Sequence, residues 1–74
     1  MRYWLYSHSD PVHTDNYVVA VREAVKIIKA LKDSGLGYSV WWCKIRDLEQ
    51  DRECIIYAGR DFKFHKSRWR QILI

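Results

Sequence analysis

Between Asn16 and Ser34 the apolar residues Tyr17, Val21, Ala24, Ile28 and Leu31 recur at alternating steps of four and three, which lines side chains along one face of an α-helix. Ala20, Val25 and Ile27 widen the stripe, while Arg22, Lys26, Lys29 and Lys32 fall on the opposite arc. Thr14 or Asp15 can cap the first free N–H groups, and Ser34-Gly35 ends the helix because glycine accepts the left-handed C′ conformation. Leu36 is then expected to fold back on the last turn.

A period of two marks the strands. Arg2–Ser7 puts Tyr3 and Leu5 on one side and Trp4 and Tyr6 on the other. His8–Asp15 is polar, holds the chain's one proline, Pro11, and is expected to be a loop. Tyr38–Leu48 separates Val40, Trp42, Lys44 and Arg46 from Trp41, Cys43 and Ile45, and Glu53–Ala58 separates Cys54, Ile56 and Ala58 from Ile55 and Tyr57. A hairpin with Glu49–Arg52 as its loop sets Ile45 opposite Ile56 and Cys43 opposite Ala58. In that register the two cysteines share a face at a separation too large for a disulfide.

The end of the chain has two readings. Phe62-Lys63-Phe64-His65 alternates like a strand, whereas Ser67 can cap a short helix through Leu73, and Ile72-Leu73-Ile74 also suits an edge strand. A fourth strand starting near Phe62 is favoured. The expected architecture is one α+β domain over residues 1–74, in β-α-β-β order, with the helix on one face of a three- or four-stranded, mainly antiparallel sheet.

One helix covers one face of such a sheet, yet Val40, Trp42, Ile55 and Tyr57 make the other face bulky and apolar as well. The simplest cover is the C-terminal segment, folding across through Phe62, Phe64 and Trp69. A second copy of the chain, giving a homodimer, or a different partner are the other covers.

Composition sharpens this picture. A 74-residue chain, 49% apolar, buries only about 60–65% of its unfolded surface, so its core is marginal. With two cysteines, no leader pattern and no apolar run near the roughly 18 residues of a membrane span, a cytoplasmic protein with free thiols and no membrane partner is expected. Residues 1–59 carry eight Lys or Arg and eight Asp or Glu, so the net charge of +4 arises in the last stretch, where Arg60, Lys63, Lys66, Arg68 and Arg70 face Asp61 alone. Such a cluster attracts phosphates or acidic protein surfaces.

Catalytic chemistry finds little support. His8, His13, His65, Cys43 and Cys54 match no paired metal-ligand spacing, so neither a metal nor a cofactor is expected. A Cys–His nucleophilic pair would need Cys43 or Cys54 beside His65, but cysteines among Ile and Ala usually pack as small apolar groups. Asp10, Asp15, Asp47 and Asp51 form no carboxylate pair on one element, and Gly35 and Gly37 follow a helix rather than precede one. An enzyme is not expected.

Two binding classes remain. The first is a small docking protein, such as an inhibitor or accessory protein of a phage or mobile element, using aromatics and arginines on a protein partner, for which the basic tail suits an acidic, DNA-mimicking or nucleic-acid-handling protein. Trp42, Tyr57, Trp69, Arg68 and Arg70 are its expected contacts. The second is direct nucleic-acid binding, with Lys63, Lys66, Arg68 and Arg70 on phosphates and Trp69 stacking on a base. The charge-neutral first 59 residues and the many Trp and Tyr place the protein partner first.

Overall fold

Asn16 opens the helix. In the computed structural model, which describes residues 1–7, 11–35, 37 and 39–72, the Asn16 backbone is extended and its Oδ1 accepts the Val19 N–H at 3.1 Å. The two caps expected from the sequence act elsewhere: Asp15 accepts the Arg2 N–H, and Thr14 Oγ1 accepts the N–H of Asn16. Helix α1 spans Tyr17–Asp33, closes at Ser34, and passes into Gly35 at φ 78°, the left-handed turn that the glycine permits. Leu36 lies outside the described residues. Ala20, Ala24 and Ile28 are fully buried, and the small alanines let the helix backbone approach the sheet closely.

Among the described residues the sheet has six strands: β1 (Tyr3–Tyr6), β2 (Val12–Thr14), β3 (Val40–Asp47), β4 (Arg52–Gly59), β5 (Phe64–Lys66) and β6 (Arg70–Gln71). Their order is β2-β1-β3-β4-β5, with β6 also on β4, and every pairing is antiparallel. The α+β class and the helix-on-sheet arrangement are as the periodicities indicate. The core between α1 and the sheet contains Tyr3, Leu5, Trp41, Cys43, Ile45, Cys54, Ile56 and Ala58, all on the strand positions assigned to that side by alternation.

The structure corrects the loop before the helix. Val12–Thr14 is a strand, pairing Val12 with Leu5 and His13 with Trp4, so it supplies hydrogen-bond partners along an edge of β1 that would otherwise face solvent. Pro11 sits just ahead of it, where a missing N–H costs nothing to the ladder. His8 and Asp10 lie outside the described residues.

The hairpin register also differs, by two residues. Cys43 faces Ile56, Ile45 faces Cys54, and Asp47 faces Arg52, which places the loop at residues 48–51. The cause is Asp47, whose buried Oδ1 accepts the N–H groups of Glu49 and Gln50 at 3.1 and 3.3 Å and so nucleates the turn one residue earlier. Asp51 completes it at φ 50°. Both cysteines are buried free thiols.

The tail forms strands rather than a helix, beginning at Phe64 rather than Phe62. Ser67 does not cap: its Oγ accepts the Ile55 N–H at 2.8 Å while its own N–H donates to the Ile55 carbonyl at 2.9 Å, bridging the gap between β5 and β6 along β4. Nor do the described residues of the tail cross the second face of the sheet. Phe64 and Trp69 pack against the helix-side core, and Phe62 lies edge-on to Phe64 beneath the ammonium of Lys32 on the helix. Phe62, at φ 59° with its N–H on the Gly59 carbonyl, makes the turn that sends the chain to that side.

Candidate functional site

Strand alternation and the observed register define what the sheet presents opposite the helix. One cross-strand row runs His13, Trp4, Arg46, Glu53, Arg70 from β2 to β6. The next runs Tyr6, Lys44, Ile55, and the third Trp42, Tyr57, His65. Val40 stands opposite Gly59 at the end. No described element lies over these rows.

The rows differ chemically. Toward Val40 the surface is apolar: a groove of about 380 Å³ is lined by Val40, Trp42, Lys44, Ile55, Tyr57 and Ser67. Val40, at the start of β3, and Tyr57, within β4, are 46% and 37% exposed, leaving apolar surface open to solvent along the two longest strands. Tyr57 stacks on His65 at 5.3 Å between ring centres, and the Ser7 hydroxyl donates to the Trp42 carbonyl at 2.6 Å, fixing the groove's floor.

Toward Trp4 the surface is polar and cationic. Trp4 stacks on His13 and leans on Tyr6. Arg46 lies 5.7 Å from the Trp4 ring centre and Lys44 lies 5.4 Å from that of Tyr6. Both cations reach the single carboxylate of Glu53, Lys44 Nζ at 3.6 Å and Arg46 Nη2 at 3.5 Å. These separations exceed good hydrogen-bond length, and Glu53 Oε2, Arg46 Nε and Trp4 Nε1 are shielded from water without a hydrogen-bond partner.

Of the residues expected from the sequence to bind, Trp42, Tyr57 and Arg70 share this face. Lys66 and Trp69 do not. Lys66 is opposite Ile56 on the helix side, with its ammonium 5.1 Å from the Trp69 ring centre, and Trp69 is held between Tyr17 and Arg52. Lys63 and Arg68 are exposed in the connections flanking β5. Trp4, Tyr6, Lys44 and Arg46, which are not among the expected binding residues, also lie on this face. Their signal was strand parity, legible once β1 is paired beside β3.

The nucleophile pair is excluded by the same parity. Cys43 and Cys54 point to the helix, whereas His65 sits on the opposite face beside Tyr57. Burial pushes the Cys43 thiol up to about 12 and raises that of Cys54. Among the described residues no group of three or more His, Cys, Asp or Glu is placed to hold a metal ion, and no helix is long and apolar enough to cross a membrane.

No family model, curated protein or solved structure matches the chain.

Proposed function

We propose that this chain is a small binding module that docks on a protein partner through the sheet face opposite the helix, as an inhibitor or accessory subunit acting inside the cell. The observation that carries the reading is the groove of Val40, Trp42, Ile55 and Tyr57, an apolar surface set in the middle of the sheet where no segment of the described chain lies. Aromatic side chains in such a position bury much area for few frozen torsions, which is the usual chemistry of an interface centre. Lys44, Arg46 and Arg70 form a polar rim along one side.

A photo-crosslinking side chain at position 57, compared with one at Val18 on the exposed helix surface, tests this in cells that express the protein. A discrete protein adduct from position 57 and none from position 18 supports docking through this face. Equal adducts from both positions, or none, overturn it.

The second reading is direct nucleic-acid binding, favoured by the exposure of Lys63, Lys66, Arg68 and Arg70 along one edge of the sheet. It comes second because Lys66 and Trp69 turn to the helix side while Arg70 and His65 turn away from it, so the cations and the stacking ring do not line one track. Titration of single-stranded and duplex oligonucleotides at two salt concentrations separates the readings. Tight, salt-dependent binding, with a slope reduced by about one counterion in Lys66→Ala or Arg68→Ala, would put nucleic acid first.

A further inference from the structure

Building on the docking reading, we infer that the partner presents a carboxylate within three residues of a large apolar side chain, the apolar group filling the groove and the carboxylate meeting Lys44 and Arg46. Charge on the face is the first argument. Among the described residues of these rows Lys44, Arg46 and Arg70 meet one carboxylate, Glu53, an excess of two positive charges beside the groove. A second copy of the chain would bring like charge onto like charge, and a basic partner would do the same.

Hydrogen bonding is the second argument. Glu53 is shared at 3.5–3.6 Å between two cations, and neither contact is a short charge-assisted bond, so both cations retain donor capacity. An added carboxylate supplies acceptors to this row and completes pairs that Glu53 alone leaves loose.

Spacing is the third. Lys44 both lines the groove and contacts Glu53, and Arg46 lies two residues further along β3, about 7 Å away at strand rise. An extended partner chain covers that distance in two to three residues. A phosphate strand fits less well, because Glu53 sits among the cations and Trp4 and Tyr57 each have a ring already stacked on a histidine.

The test is selection of a random twelve-residue peptide library, displayed on phage, against the intact immobilised protein, followed by anisotropy titration of the enriched peptides. Enriched sequences are expected to carry Asp or Glu within three positions of Phe, Trp, Leu or Ile and to lose binding on Tyr57→Ser. Replacing the peptide's acid by its amide should weaken binding about tenfold on the native protein and much less on Lys44→Gln or Arg46→Gln. Glu53→Gln, which removes the competing carboxylate, should tighten acidic peptides. Peptides that require Tyr57 yet are neutral or basic, or whose amide analogues bind equally well, overturn this inference and leave docking standing. Failure to enrich any Tyr57-dependent peptide overturns both.

Discussion

Arg2 grips Asp47 with two parallel contacts, Nε to Oδ1 at 3.0 Å and Nη2 to Oδ2 at 3.1 Å, across 45 residues of chain. Asp47 also receives Arg52 Nε at 3.2 Å, Arg52 lies over Trp69, Trp69 meets Tyr17, Tyr17 meets Tyr3, and Tyr3 lies beneath Arg2. The contacts close a ring through β1, β3, β4, the tail and the helix. A fully buried carboxylate therefore ties the residue before β1 to the β3–β4 hairpin, and Arg52 carries the contact on to Trp69 of the tail.

Asp47→Ala is expected to destabilise the fold by about 3 kcal/mol, the lower end for breaking a buried pair, because both arginines are partly exposed and can rehydrate. That is a large part of the total, on the order of 4–11 kcal/mol for a chain this long. Urea unfolding measures it, with Arg2→Ala expected to cost less because Arg52 and two backbone N–H groups still hold the carboxylate. Equal stability of Asp47→Ala and the native chain would remove Asp47 from this role.

Acid should weaken the fold through the same group. The hydrogen bond from Arg2, followed by those from the Gln50 N–H, Arg52 and the Glu49 N–H, holds the Asp47 carboxyl below its ordinary range against the cost of burial. A lowered folded pKa means the contribution is complete above the unfolded value of about 3.9 and is lost as pH falls through the folded value. Stability measured from pH 6 down to pH 2 should decline below about pH 4, more shallowly in Asp47→Asn.

Trp69 and Tyr57 should separate folding from docking. Trp69→Ala removes a half-buried ring from the helix-side core and is expected to cost about 2 kcal/mol, less than the ~3–5 kcal/mol of a fully buried tryptophan. Tyr57→Ser, at an exposed strand position, should cost about 1 kcal/mol or less and abolish partner binding. Thermal melts beside binding titrations check both. The opposite pattern would mean that the site lies on the helix side.

The thiols report on the same core. With Cys43 pushed up to about 12 and Cys54 also raised, alkylation at pH 8 should be negligible in the native protein and complete in denaturant. A raised folded pKa leaves stability intact below the unfolded thiol value of about 8.5 and erodes it as pH climbs toward about 12. Mass spectrometry after iodoacetamide, and unfolding curves at pH 8 and 10, test the two halves of this expectation.

Periodicity alone determined the helix, its end at Ser34-Gly35, the faces of β1, β3 and β4, and the apolar surface of Val40, Trp42, Ile55 and Tyr57 that the helix leaves uncovered. These are consequences of side-chain geometry within one element, where each residue's direction follows from its neighbours. Only the tertiary structure decided the hairpin register, the added strand β2 and the side taken by the tail. A slip of two residues leaves every side chain on its own face, so alternation cannot distinguish Ile45 opposite Ile56 from Ile45 opposite Cys54. The buried hydrogen bonds of Asp47 make that choice. In the same way Ser67 becomes a bridge along β4 instead of a helix cap because the Ile55 backbone is there to receive it, a partner 12 positions away that no local pattern records. That pairing sends Trp69 to the core, and the aromatic and cationic residues of β1 and β3 are left to form the candidate surface.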